Sequence, residues 1–164
     1  MSTNYDREDC WSHSAALRFG ACDDDGDTPA YLNETDPGRW RCTFFNDNQK
    51  SCTFTAVDNC VEVLRPDRSS ERRCDGILQY DQTIIFVELK YVRSKGWIPE
   101  GIEQLEATVS DYFRGADRKD FRKRLAVLAN GKQPAFRSSH KVQMQQFYQR
   151  HGVRLLIQAE VQIE

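Results

Sequence analysis

The chain of 164 residues lacks any apolar run near the roughly 18 residues that a membrane helix needs, and no signal-peptide pattern follows Met1. Internal repeats and low-complexity segments are also missing from the sequence. These absences predict a soluble, cytoplasmic protein. A chain of this length can bury a real hydrophobic core, so we expect one globular unit.

Cysteine pairs with the spacing of a zinc site are lacking as well. All six cysteines lie within the first 74 residues, and none forms a C-x-x-C pair. An even number of cysteines allows disulfides. Because no secretion signal is present, we expect reduced thiols that serve as small buried hydrophobic residues.

Net charge is small, but it is unevenly distributed. The total is −2, yet residues 1–40 hold nine acids and three bases, whereas residues 91–154 hold thirteen bases and six acids. A total near zero therefore does not exclude a basic binding surface. The alternative is that both regions are ordinary solvated surfaces, and composition alone does not separate the two.

Hydrophobic patterns predict an α/β (α+β) fold, in which helices pack on a mixed β-sheet. They indicate a short helix over 9–19 and then an acidic loop over 23–29, which lacks the spacing of a calcium-binding loop. The remaining predicted elements are strands at 43–45, 52–57, 61–64, 73–80, 83–91, 125–129 and 153–163, and helices at 99–114 and from Ser138 or Ser139 to Arg150.

The most apolar stretch, 74–90, is predicted to form a β-hairpin with its turn at 81–82. A two-residue turn pairs the strands so that Asp75 stands opposite Glu88, on the same face of the sheet. Asp-Gln is not a favoured sequence for such a turn. A four-residue loop keeps this register, whereas a three-residue loop breaks it.

Charges interrupt the second strand of this hairpin. Both faces of the strand begin apolar, so we expect it to be covered on both sides, where an unpaired charge costs several kcal/mol. Opposed carboxylates at Asp75 and Glu88 repel each other unless a cation lies between them, and a divalent metal ion would resolve this conflict. The alternative is that the strand emerges into solvent and that Glu88 and Lys90 form a surface salt bridge.

The arrangement of Asp75, then Glu88-Leu89-Lys90 at the end of a hydrophobic strand, then a helix and another strand, resembles the PD-(D/E)xK nuclease superfamily. This resemblance implies a restriction-endonuclease-like αβββαβ core. It also implies that Asp75 and Glu88 ligate Mg²⁺ or Mn²⁺, aided by the backbone carbonyl of Leu89. Lys90 would position or activate the attacking water.

The resemblance covers about residues 52–130. It divides the chain into an acidic N-terminal extension over 1–45, packed on the core, and a nuclease-like domain over 46–164. Cys74 stands where the family has a proline, which is a common variation.

Many members of the family carry a further carboxylate on an early helix, and the sequence does not place it. The candidates are Glu8, Asp9, Asp58 and Glu62. Gln104 is a candidate accessory residue, because some members carry a glutamine near the active site on this helix. RecB-like members have a tyrosine four residues later, where this chain has Thr108, so a solvent-facing glutamine is an equal alternative.

The implied function is Mg²⁺-dependent hydrolysis of phosphodiester bonds in nucleic acid, DNA before RNA. The predicted nucleic-acid-binding residues are Arg93, Lys95, Arg118, Lys119, Arg122 and Lys123. A second copy of the chain or a partner protein is a further expectation, and no membrane is expected. The alternative function is a non-catalytic nucleic-acid-binding or protein-assembly module that retains the nuclease fold.

Overall fold

The computed structural model describes residues 3–24, 26–61, 72–115, 121–133 and 140–164. Strands β1 to β5 are Trp11–Ser14, Arg18–Cys22, Tyr31–Asn33, Cys42–Phe45 and Cys52–Ala56. They are followed by β6 (Gly76–Tyr80), β7 (Thr83–Lys90), α1 (Trp97–Tyr112), β8 (Lys123–Asn130), α2 (Lys141–His151), β9 (Arg154–Ile157) and β10 (Glu160–Gln162). The predicted mixture of helices with a mixed sheet is confirmed. Within the described ranges, neither helix is long and apolar enough to cross a membrane.

A six-stranded sheet in the order β1-β5-β6-β7-β8-β9 forms the centre of the fold. β7 pairs antiparallel with β6 and parallel with β8. Its Ile84 and Phe86 pack in the core beneath the helices, whereas Ile85, Val87 and Leu89 pack in a second core on the opposite face. The strand is therefore covered on both sides, as its apolar sequence predicts.

The hairpin has the predicted register. Tyr80 pairs with Thr83, and the ladder continues through Gly76 with Val87. Asp81, the first turn residue, has a φ of +48°, a conformation that aspartate tolerates better than most residues. This conformation lets an Asp-Gln sequence close a two-residue turn.

A second sheet, which the sequence analysis does not anticipate, covers the other face. Its four strands lie in the order β10-β4-β2-β3. The predicted last strand at 153–163 is in fact two strands, since β9 joins the central sheet and β10 pairs in parallel with β4. The predicted boundary at residue 45 falls between β4 and β5, and each sheet contains strands from both sides of it. The division into two domains stays a prediction.

The predicted helix over 9–19 is wrong. Residues Glu8–Cys10 form a single 3-10 turn, and β1 and β2 follow it. β1 pairs antiparallel with β5, and β2 buries Phe19 and Ala21 in the second sheet. Pairing with strands that are distant in the chain therefore overrides the local pattern.

Several other predicted boundaries move or cannot be followed. Helix α1 begins two residues before Pro99, and β8 extends beyond 125–129 at both ends. In the predicted strand at 61–64, only Val61 lies among the described residues, and it sits in a bend. The proposed helix caps Ser138 and Ser139 lie outside the described residues.

The expectation that all cysteines are reduced is wrong for two of them. Cys10 and Cys60 form a disulfide, with Cα atoms 5.9 Å apart. The expectation used the presumed compartment of the protein, whereas the fold brings these two positions together as β1 pairs with β5. The four free cysteines are all buried, and burial raises the pKa of Cys22 and of Cys52 to about 11.

Candidate active site at the end of the central hairpin

The backbone of the hairpin brings Asp75 and Glu88 together. Asp75 directly precedes β6, and its N–H donates to the carbonyl of Val87 at 3.1 Å. The N–H of Leu89 in turn donates to Oδ2 of Asp75 at 2.7 Å. This second bond holds the Asp75 carboxyl group against the Glu88-Leu89 peptide, which is the convergence that the register predicts.

Both carboxyl groups are buried, with Asp75 7% and Glu88 2% exposed. Burial raises the pKa of Asp75, and the neighbouring carboxyl of Asp23 raises it further. Burial and then the charge of Asp75 raise the pKa of Glu88, and Lys90 offsets only part of this increase. Among the described residues, no group hydrogen-bonds to Oε1 of Glu88. The salt bridge between Glu88 and Lys90 in the alternative does form, but it is buried, so the expectation that the strand emerges into solvent there is wrong.

Lys90 lies beside these carboxyl groups and contacts three acceptors. Its Nζ is 3.3 Å from Oε2 of Glu88, 3.1 Å from Oε1 of Glu100 and 2.6 Å from Oε1 of Gln104. Three acceptors match the three N–H donors of an ammonium group. The side chain of Glu100 is 61% exposed, so it is the partner that an incoming ligand can most easily replace.

Helix α1 supplies Gln104 because it packs closely on the sheet. A Cβ atom at Gly101 would overlap the side chain of Leu128 in β8, so this glycine permits the close approach. Gln104 reaches Lys90 and also donates from Nε2 to the carbonyl of Arg73 at 3.5 Å. Gln104 is thus part of the cluster and not a solvent-facing residue.

Thr108, at the position where RecB-like members have tyrosine, fixes the segment before Asp75. Its Oγ1 accepts a hydrogen bond from the N–H of Cys74 at 2.8 Å. Both residues are buried, so no water replaces this bond. Thr108 therefore anchors the residue next to Asp75 to helix α1.

We expect Thr108→Val to lower the free energy of unfolding by about 1–3 kcal/mol, because it leaves the buried N–H of Cys74 without an acceptor. Urea denaturation of the wild type and the variant measures the change. Thr108→Ser keeps the hydroxyl group and is the matched control. An equal loss in both variants would mean that the methyl group, and not the hydrogen bond, accounts for the effect.

A third carboxyl group, that of Asp23, interacts with this cluster and is not among the residues predicted from the sequence. Asp23 follows β2 directly and contributes to the raised pKa of Asp75, and a hydrogen bond to Asp75 acts on the pKa of Asp23 itself. Oδ2 of Asp23 lies 3.4 Å from Nη1 of Arg41. Its position at the end of a buried strand was the available signal, but the acidic run over 23–27 reads as a solvated loop.

Three of the four sequence candidates for the extra carboxylate lie among the described residues. Asp9 pairs with Arg7, and Glu8 lies in the same 3-10 turn. Asp58 accepts from Nε of Arg73 at 3.0 Å and raises the pKa of Asp75, so it belongs to the edge of the cluster. Glu62 lies outside the described residues.

A cleft of about 590 Å³ opens beside Gln104. The side chains that line it are Asp58, Arg72, Arg73, Glu100, Glu103 and Gln104. Arg72 pairs with Glu103, and Arg73 pairs with Asp58. The cleft therefore carries mixed charge and leads to Lys90 through Glu100 and Gln104.

The structure does not bring the four described residues of the predicted nucleic-acid-binding set to one place. Arg93 and Lys95 are exposed in the loop between β7 and α1, close after Lys90. Lys123 pairs with Thr83 at the start of β7, about 23 Å along the strand from Lys90 at the usual rise per residue. Arg122 precedes Lys123, while Arg118 and Lys119 lie outside the described residues.

The donor set at Asp75 and Glu88 fits a hard divalent cation. Two carboxyl groups are held together in a buried site, and one oxygen of Glu88 has no hydrogen-bond partner among the described residues. Mg²⁺ prefers such oxygen ligands and keeps several waters. Over the same residues, however, no three or more His, Cys, Asp or Glu side chains are grouped as ligands. The proposed ligands are two carboxylates and one backbone carbonyl, so they include two side chains of these types and not three.

The chain was also compared with known proteins. No protein-family model, no curated protein and no solved structure matches it.

Proposed function

We propose that the protein is a Mg²⁺-dependent nuclease of the PD-(D/E)xK type that hydrolyses phosphodiester bonds in DNA. The observation that carries the proposal is the buried pair of Asp75 and Glu88, in which the charge of Asp75 raises the pKa of Glu88 and no group of the described residues hydrogen-bonds to Oε1 of Glu88. A structural role alone does not explain two adjacent buried carboxyl groups, because a neutral pair would cost less.

The arrangement of elements supports the restriction-endonuclease-like core. The hairpin of β6 and β7 is followed by α1 and then by β8, which pairs in parallel with β7. β5 precedes the hairpin and pairs with β6. The helix that opens this core in the family has no counterpart in the described residues 3–24 and 26–61, where strands and two 3-10 turns occur.

Each residue of the cluster has a role in the proposed reaction. When bound, Mg²⁺ polarises a phosphoryl oxygen and lowers the pKa of its water. Asp75 and Glu88 would hold the ion with the Leu89 carbonyl. The N–H of Leu89 keeps the Asp75 carboxyl group oriented through the bond at 2.7 Å.

Lys90 would bind the attacking water or a phosphate oxygen. Glu88 and Gln104 fix its ammonium group from two directions. Its third contact, to the exposed Glu100, would be replaced by the substrate. The ammonium group then lies beside the reacting phosphate without being mobile, which is what positioning requires.

The test of the proposal is cleavage of labelled duplex and single-stranded DNA with and without Mg²⁺ or Mn²⁺. Cleavage with either ion, and its loss in EDTA, are expected. Calorimetric titration with Mn²⁺ provides a second measurement that does not need a substrate. Absence of both cleavage and Mn²⁺ binding at millimolar concentration would favour the non-catalytic binding module instead.

Asp23→Asn is expected to lower Mg²⁺-dependent cleavage by about 10- to 100-fold, the usual cost of changing a group that supports a metal ligand. Asp23 acts on Asp75 through charge and a hydrogen bond, and the amide removes the charge but keeps the shape. Steady-state cleavage rates at several Mg²⁺ concentrations measure the effect. Asp24→Asn, at the next position in the chain, is the control and should retain the wild-type rate.

A further inference from the structure

Two cations lie against one aromatic ring next to the proposed site. Tyr91 directly follows Lys90, and its side chain is 47% exposed. The guanidinium carbon of Arg41 is 5.1 Å from the centre of the Tyr91 ring, and Nζ of Lys132 is 4.8 Å from it. These distances are typical of cation–π contacts.

The segment that carries Lys132 is held firmly by Asn130. This residue is buried, and its Oδ1 accepts from the N–H of Lys132 at 3.1 Å and from the N–H of Val92 at 3.2 Å. Its Nδ2 donates to the carbonyl of Val92 at 2.8 Å. One buried amide thus fixes the chain after β7 relative to the chain after β8, so Lys132 is positioned by the fold.

Gly131 allows Tyr91 and Arg41 to lie close together. A Cβ atom at this position would lie 2.9 Å from Cδ1 of Tyr91 and 3.3 Å from the Cα of Arg41. The N–H of Gly131 donates to the carbonyl of Lys90 at 2.9 Å. Gly131 therefore permits the close packing around the Tyr91 ring and also hydrogen-bonds to the strand that carries Lys90.

The two cations at this place differ in their partners. Arg41 is paired with Asp23, and its side chain is 14% exposed. Lys132 is exposed, and no carboxyl group of the described residues pairs with its ammonium group. A phosphate group beside Tyr91 would compensate the charge of Lys132.

We infer that Arg41 and Lys132, held by Tyr91, bind a backbone phosphate of the nucleic-acid strand next to the phosphate that is cleaved. This inference rests on the proposed function and names the substrate contact for the same site. Arg41 also connects the bound phosphate to Asp23 and hence to Asp75. Phosphate contacts carry no base information, so this contact is independent of the base sequence.

The experiment measures binding in EDTA, where cleavage does not occur. A fluorescein-labelled 20-nucleotide single strand of DNA and the corresponding duplex are titrated with protein at several NaCl concentrations, with anisotropy as the signal. For Lys132→Gln we expect about five-fold weaker binding at low salt. The slope of log K against log salt should fall by about 0.7 for the single strand and about 0.9 for the duplex. A shuffled base sequence should give the same values.

Lys141→Gln is the matched control, because it removes the same charge from an exposed lysine at the start of α2. It should leave affinity and salt slope unchanged. Tyr91→Leu, which removes the ring but no charge, should weaken binding by a smaller factor than Lys132→Gln. No binding by the wild type, no effect of Lys132→Gln, or an equal effect of Lys141→Gln would each overturn the inference.

Cleavage assays separate this inference from the proposed function. If Mg²⁺-dependent cleavage occurs but binding does not depend on Lys132, the proposed function stands and the phosphate contact does not. If binding depends on Lys132 but no cleavage is found with Mg²⁺ or Mn²⁺, the contact stands and hydrolysis does not.

Discussion

Glu88→Gln is expected to abolish Mg²⁺-dependent cleavage of DNA while leaving the metal-free protein at least as stable as the wild type. Retained stability would be unusual, because most substitutions of a buried residue destabilise a protein. Burial and the charge of Asp75 raise the pKa of Glu88 despite the nearby Lys90, so the ionised carboxylate is disfavoured by folding. A neutral amide of the same shape removes this unfavourable interaction.

The loss of activity should be large. A ligand that holds a metal ion contributes several kcal/mol to stabilisation of the transition state, and about 4 kcal/mol corresponds to roughly a thousandfold in rate. Lys90 keeps its contacts to Glu100 and Gln104 in the variant, so the loss would come from metal binding and not from displacement of the lysine.

Thermal denaturation with and without Mg²⁺ checks both effects. The wild type should gain stability on addition of Mg²⁺ and Glu88→Gln should not, since an ion raises the unfolding temperature only when it binds the folded state more tightly than the unfolded state. Glu160→Gln, an exposed carboxylate in β10, is the control and should change neither activity nor the response to Mg²⁺. A stability loss in Glu88→Gln with cleavage retained would make Glu88 a structural partner of Lys90, and the assignment of Glu88 as a metal ligand would then fail.

Part of this site could be predicted from the sequence because it is local in the chain. The hairpin over 74–90 contains both strands and the turn, and a two-residue turn fixes every pair between them. Asp75, Glu88 and Lys90 follow from that register. Gln104 lies one helix further on, where the helical period places it on the flank that faces the strand.

The rest of the site depends on contacts between distant parts of the chain. Asp23 and Arg41 belong to segments next to β2 and β4, and they reach Asp75 and Tyr91 only because the second sheet packs on the first. Neither their spacing nor their residue types indicate this packing. The second sheet itself joins β10 to β4 across most of the chain, a pairing that short-range patterns do not contain.

The disulfide carries the second large expected effect. Removal of the Cys10–Cys60 bond by the double substitution Cys10→Ser and Cys60→Ser should lower the free energy of unfolding by about 4 kcal/mol. The bond closes a loop of 50 residues in sequence separation, and this loop restricts the unfolded chain. For a domain whose total stability is typically about 5–15 kcal/mol, such a loss is a large fraction.

Guanidinium denaturation with and without reductant measures this effect. Reductant should destabilise the wild type to the level of the double variant and should leave the double variant unchanged, because the four remaining cysteines are free thiols. Alkylation of the unfolded wild-type protein should modify four thiols before reduction and all six after it. Six modified thiols without reductant would show that the bond is absent in solution. β1 would then be held at the sheet edge without a covalent link, by its four residue pairs with β5 and by hydrogen bonds such as that from the N–H of Leu32 to Oγ of Ser12, and the expected loss on substitution would disappear.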